Sequence, residues 1–275
     1  MNIKDFKETR RVAFHPNFHD FLIMPFLERL NLGYGFRQYF RIDAALDDER
    51  RDNVYRIRRE VHCEELKHES ERRDRCMIDE YDTHSMHCLL RQANHPHKLV
   101  ACTRLVLTNP ADPSAPLPFE RTCATTLDRS IIDTATLPRE RIAEVSRLAV
   151  RGIYRRRKDE HRSALTIRDE DFGTTTQPRF PFIPVGLYMG AISLAAHKNI
   201  DMLFMLTEPM LADHLSRLGV SMKQIGTPLS NGSSRVPSVL DVQSTIRNMR
   251  FMIKPLWRTV NREIESSIPP PTMRH

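Results

Sequence analysis

An α/β fold, a central mixed twisted sheet flanked by helices, is what this sequence predicts, and three stretches predict it. Ile142-Ala143-Glu144-Val145-Ser146-Arg147-Leu148-Ala149-Val150 alternates as a strand does. Its one face carries Ile142, Glu144, Ser146, Leu148 and Val150, and its other Ala143, Val145, Arg147 and Ala149. Upstream, Asp47 and Asp48 open a helical run to about Leu66, with Val54, Ile57, Val61 and Leu66 on its buried side. Downstream, a helix from Pro184 to Lys198 leads into the almost wholly apolar strand Met202 to Thr207.

The remaining elements follow in order. Residues 1–36 read as a helical or irregular arm, with Phe18, Phe21, Leu22, Pro25, Phe26 and Leu30 on one face and Asn31, Gly33 and Gly35 breaking it. A first strand is expected over 37–45, and the 47–66 helix has Arg58, Arg59, Glu64 and Glu65 around its apolar side. Ser85 to Arg91 and Leu99 to Thr108 form a hairpin across Asn94-His95-Pro96-His97. Pro110, Pro113, Pro116 and Pro118 mark a loop before the strand at 142. The polar stretch from about 155 to 181 reads as a mobile surface insertion. Asn199 ends the Pro184 helix, Pro209 to Leu218 is a helix closed by Gly219, and Ser221 to Ile225 is a strand. A late helical region spans 237–264, anchored by Val239, Val242, Ile246, Met249, Ile253, Leu256, Trp257 and Val260. The domain organisation expected is an arm (1–36), a main domain (37–236) and a C-terminal helical extension (237–275).

Composition narrows the class. At 275 residues the chain is long enough to bury a core of its own. The longest apolar run near the N-terminus, Phe21 to Leu27, is too short to cross a membrane. Five cysteines form an odd set without a C-x-x-C pair, which fits reduced thiols in a cytoplasm. His84 with His87, and His95 with His97, lack cysteine partners at ligand spacing, so no metal site is expected. The net charge of +7 is mostly arginine and points to an acidic or phosphorylated partner if the charges cluster. Nucleic acid is not the expected one, since zinc-finger, RNP and helix-turn-helix signatures are missing.

Two charges stand where apolar residues belong. Glu144 is flanked by apolar positions, and two readings are open: an edge strand with solvated charges, or a catalytic strand whose carboxyl is raised by burial to suit a general base. Val100, Cys102, Arg104 and Val106 share a face, so Arg104 needs a carboxylate, and Asp79, Asp82 and Glu144 are the candidates.

The motifs Arg58-Arg59-Glu60-Val61-His62-Cys63-Glu64-Glu65-Leu66, Asp79-Glu80-Tyr81-Asp82, Thr103-Arg104-Leu105-Val106 and Glu144-Val145-Ser146-Arg147-Leu148-Ala149-Val150 follow one another in order. With Thr207-Glu208-Pro209-Met210-Leu211 and Arg217-Leu218-Gly219-Val220, they resemble the signature of the PEP-CTERM/exosortase-associated acyltransferases. That group is similar to the N-acyl amino acid synthases and, more distantly, to the acyl-homoserine-lactone synthases of the GNAT (N-acetyltransferase) superfamily. The resemblance implies a GNAT-like fold and transfer of a fatty acyl group from an acyl carrier protein or CoA thioester to the amine of a small amino-acid-like acceptor. No tightly bound cofactor is implied beyond the acyl-phosphopantetheine of the donor. It further implies Glu144, Arg147 and Arg104 as catalytic residues, and Arg58, His62, Asp79 and Asp82 around the acceptor. His62 replaces an aromatic residue of the lactone synthases.

Where acetyl-CoA-using relatives carry a glycine-rich phosphate loop, this chain has Tyr154-Arg155-Arg156-Arg157-Lys158. Arginine side chains suit the single phosphate of a carrier-borne phosphopantetheine, which assigns Arg155, Arg156, Arg157 and Lys158 to the donor, unless they are a solvated charge run. The start of the Pro184 helix is a further candidate for that phosphate. A bulge in the central strand, implied by the resemblance, would bring Glu144 and Arg147 to one side. The alternatives are an acetyl-CoA-dependent N-acetyltransferase and a basic module that binds nucleic acid or a carrier protein without chemistry.

Overall fold

Residues 31–65, 78–155, 180–229 and 235–270 are described by a computed structural model of the chain. In chain order they form α1 (Leu32–Tyr39), β1 (Phe40–Ala44), α2 (Asp48–Arg59), β2 (Ser85–Gln92), β3 (Leu99–Leu107), α3 (Pro118–Thr122), β4 (Ile142–Val150), α4 (Phe182–His197), β5 (Met202–Thr207), α5 (Pro209–Arg217), β6 (Lys223–Gln224), β7 (Val236–Asp241), α6 (Val242–Asn248) and α7 (Lys254–Ser267). The strands make one sheet in the order β1-β2-β3-β4-β5-β7-β6. Every pairing is antiparallel except β4 with β5, where the chain returns through the crossover helix α4. The expected mixed sheet flanked by helices is the fold observed.

Both faces of the sheet are covered. Helix α4 is apolar all round and is therefore buried from Val185 to Ala195. With α1 and α7 it covers β1 to β4. On the other face, Val54 and Ile57 of α2 pack on Leu89, Cys102 and Ala149. Leu117 and Phe119 cover Val106, Ile142, Phe204 and Val239 further along. Among the described residues no helix is long and apolar enough to cross a membrane.

Three expectations are corrected. The helix α1 runs through Gly33 and Gly35 to Tyr39, so the first strand begins at Phe40 rather than 37. Gly33 does not break the helix; it lets α7 approach, since a Cβ there would clash with the Pro255 carbonyl oxygen and Thr259 Oγ1. Gly33→Ala is expected to lower stability by about 1–3 kcal/mol despite alanine's better helix propensity, read as a lower denaturation midpoint at unchanged slope. The C-terminal helical extension begins with a strand: β7 lies between β5 and β6, with Pro237 opposite Leu206 and Val239 opposite Phe204. Helical spacing of the apolar residues there is overridden by the strand pairing. Helix α7 is bound into the same core, its Glu263 and Ser267 accepting the β1 edge N–H groups of Ile42 at 2.9 Å and Ala44 at 2.8 Å. The strand expected over Ser221 to Ile225 is limited to Lys223–Gln224. The arm up to residue 30 and the insertion over 156–179 lie outside the described residues.

Candidate active site

The site is built where β4 changes partner. Its first half pairs with β5, Ile142 to Val145 against Met202 to Met205, and the pairing stops there. Against β3, Cys102 faces Ala149 and Arg104 faces Ser146, so Thr103 stands opposite both Arg147 and Leu148. This is a β-bulge, and Arg147 takes the left-handed backbone it requires, with φ of 50°. Regular alternation would send Arg147 to the face opposite Glu144; the bulge returns it to the same side. A cavity of about 370 Å³ opens beside the divergent strands, lined by Glu144, Ser146, Arg147, Arg104, Asp79 and His62 among others.

The Asp79-Glu80-Tyr81-Asp82 motif is a helix cap. Asp79 Oδ1 accepts the Tyr81 N–H at 3.1 Å, and Asp82 Oδ2 accepts the Asp79 N–H at 2.8 Å. This reciprocal cap holds a short 3₁₀ turn, Glu80–His84, with both carboxylates turned towards the sheet. Arg104 meets them there: Nη1 donates to Asp79 Oδ1 at 2.6 Å and to Asp82 Oδ1 at 3.0 Å, while Nε donates to Ser146 Oγ at 3.1 Å. Arg58, fully buried, donates Nη1 to Asp82 Oδ1 at 2.7 Å, and Arg147 donates Nη2 to Asp79 Oδ2 at 2.9 Å. Three guanidinium groups against two carboxylates leave one positive charge in a largely desolvated cluster. His87 lies beneath it, 3.7 Å from Asp82, and burial, aided by Arg58 and Arg104, pushes it down to about 4, so it is neutral.

Burial pushes the Asp79 carboxyl up, but Arg104 and Arg147 outweigh it and hold Asp79 at about 2. A carboxyl depressed on folding stabilises above its unfolded value of 3.8 and loses that contribution as pH falls through about 2. Asp79→Asn is therefore expected to cost on the order of 2 kcal/mol at neutral pH, with the deficit shrinking between about pH 4 and 2 in urea titrations.

Glu144 is governed by the opposite balance. It is 3 % exposed, with Val106 and Phe204 as its ladder neighbours. The Phe204 ring is stacked on Phe119 at 4.5 Å. Its Oε2 accepts the backbone N–H of Phe119 at 2.7 Å. Burial raises its carboxyl to about 8, although that N–H, Arg104 and Arg147 pull it down. Glu144 thus exchanges a proton in the range where amines and water-borne bases also do, at the wall of a cavity that admits a small molecule.

Of the residues singled out in the sequence, the structure brings Glu144, Arg147, Arg104, His62 and Asp79 to one cavity. Arg58 and Asp82 stand behind them, their side chains 0 % and 2 % exposed, and neither is part of the cavity lining. Arg155 is not part of the cavity lining, and Arg156, Arg157 and Lys158 lie outside the described residues. Sequence reading missed Tyr81, Tyr188, Glu208 and Arg235 in the lining. Tyr188 is concealed in a helix apolar on every side, and Arg235 is brought in only by the pairing of β7. Among the described residues no group of three or more His, Cys, Asp or Glu side chains is placed to hold a metal ion.

Residues 57–162, which run from α2 through β4 and so contain the whole charged cluster, match the family described as the Acetyltransferase (GNAT) domain. The match supports an acyltransferase of GNAT-like fold. Among solved structures, FeeM, an N-acyl amino acid synthase from uncultured soil microbes, is similar at 16% identity, covering 78% of this chain and 96% of its own, with a TM-score of 0.49. The CoA-dependent acyl-homoserine lactone synthase MesI is similar at 19% identity over 80% of this chain and 95% of its own, with a TM-score of 0.47. For the AHL synthase LasI the values are 15%, 74%, 89% and 0.46. No curated protein matches the chain.

Proposed function

We propose that the protein is an N-acyltransferase that moves a fatty acyl group from a phosphopantetheine thioester, on an acyl carrier protein or CoA, to the amine of a small amino-acid-like acceptor. The observation that carries this reading is Glu144: a buried carboxyl pushed up to about 8, at the wall of a cavity beside surplus positive charge. In its ionised form it takes a proton from the acceptor ammonium, and the free amine attacks the thioester carbonyl carbon. The carbonyl π electrons move to oxygen, and backbone N–H groups of the bulged half of β4, beyond its pairing with β5, are the proposed donors to that oxyanion. That attack forms the carbon–nitrogen bond; collapse of the adduct restores the carbonyl and breaks the carbon–sulfur bond, the second proton on nitrogen passes to the leaving thiolate to give a free thiol, and the proton held by Glu144 is released to solvent.

Asp79, held as an anion, and His62 are proposed to face the acceptor, with Arg147 beside them. Arg155 and the following Arg156, Arg157 and Lys158 are proposed to meet the donor phosphate. The motif order supports a place among the PEP-CTERM/exosortase-associated acyltransferases, and the odd set of five cysteines, without a C-x-x-C pair, fits a cytoplasmic setting. Purified protein incubated with short- and long-chain acyl carrier protein thioesters and acyl-CoAs, together with pooled amino acids, should give an amide whose mass is the sum of acid and amine less water. The match of residues 57–162 to an Acetyltransferase (GNAT) domain favours one second reading, acetyl transfer. Product from acetyl-CoA alone would establish that reading, and no acylated amine from any donor would overturn both.

A further inference from the structure

The connection between β3 and β4 carries a second polar cluster that the reaction above does not use. Glu120, in α3, has a side chain only 13 % exposed, and Arg139 facing it is 17 % exposed. The pair is bidentate: Arg139 Nη1 donates to Glu120 Oε1 at 2.9 Å and Nη2 to Oε2 at 2.9 Å. Glu120 also accepts the Leu117 N–H at 2.7 Å and the Thr134 hydroxyl. Arg139 donates in addition to the carbonyls of Pro113 at 3.1 Å and Ala115 at 2.9 Å. An exposed ion pair would hold little, but a shielded planar fork with this many satisfied donors fixes geometry as well as energy.

What it fixes is adjacent to Glu144 on both sides. Helix α3 has five residues, too few to persist by its own hydrogen bonds, and Phe119 immediately precedes Glu120. Arg139 opens the 3₁₀ turn Arg139–Arg141, which runs straight into β4. The pair therefore ties the donor and acceptor ends of the 2.7 Å Phe119 N–H to Glu144 Oε2 bond to each other. With Oε2 so occupied, Oε1 is the oxygen left to the cavity.

We propose that the Arg139–Glu120 pair is a positioning device for Glu144, holding the Phe119 N–H on Oε2 so that Oε1 is presented to the acceptor. The inference rests on Glu144 being the base of the proposed acyl transfer. Arg139 and Glu120 touch neither substrate nor cavity; they act through Glu144. Arg139→Gln is expected to lower kcat about tenfold to a hundredfold, as small misplacements of a reacting group do, with KM for amine and thioester unchanged. Arg139→Lys, which restores the charge and one donor, is expected to recover part of that loss.

The decisive comparison repeats Arg139→Gln in a Glu144→Gln background, with circular dichroism confirming the fold. There it should have no further effect beyond about twofold, because the group it positions is gone. An equal loss in both backgrounds, or no loss in the wild type, overturns the proposal. If Arg139→Gln does not fold, Thr134→Val removes one donor to Glu120 and takes the same two measurements. A Glu144→Gln protein at the wild-type rate would instead overturn the catalytic reading itself, which keeps the two failures apart.

Discussion

Arg104→Ala is expected to destabilise the protein by about 3–5 kcal/mol, the range for removing one partner of a buried ionic cluster. Arg104 is 2 % exposed and is the hub of that cluster, donating to Asp79, Asp82 and Ser146 at once. Without it two carboxylates remain out of water with only Arg58 and Arg147 near them, and the strand β3 keeps a void where the guanidinium lay. Arg104→Lys is not a rescue, because a single ammonium cannot span the three acceptors that the planar fork meets. Denaturant unfolding checks both variants. A loss below about 1 kcal/mol for Arg104→Ala would show the cluster to be an ornament of the fold.

Glu144→Gln is expected to lower kcat/KM for acyl transfer by about 10²- to 10⁴-fold, the usual share of a positioned base. The amide oxygen still accepts the Phe119 N–H, so the fold should be kept. Stability gives an independent reading of the same group. Its folded carboxyl is raised from 4.5 to about 8, so the folded state holds a proton that the unfolded chain releases. Any stabilisation from that proton is complete below about 4.5 and is lost as pH rises through about 8. The wild type should therefore lose stability relative to Glu144→Gln across that window, in parallel thermal melts, and equal pH slopes would show that Glu144 is not desolvated.

Much of this is legible in the sequence. A carboxylate alternating with apolar residues marked Glu144, and an arginine among apolar residues demanded the partners that Asp79 and Asp82 supply. Yet Glu144, as plausible a partner for Arg104 by sequence, is satisfied by a backbone N–H from a loop helix, and no side-chain pattern announces that. Arg147 could not be assigned to its face by alternation, because one residue of bulge reverses every side chain beyond it. Strand β7 escaped because the spacing of Val239 and Val242 fits a helix as well, and only its place beside β5 decides. The basic run after Val150 kept its meaning open for a different reason: just Arg155 of the four lies within the described residues.

The most direct test of the account is the pH dependence of kcat/KM for acyl transfer, measured side by side on the wild type and Glu144→Gln. The wild type should rise along a limb with an apparent pKa near 8, and the variant should be slow and lack that limb. Superimposable profiles at similar rates would contradict it, since the buried carboxyl would then have no part in moving the acceptor's proton.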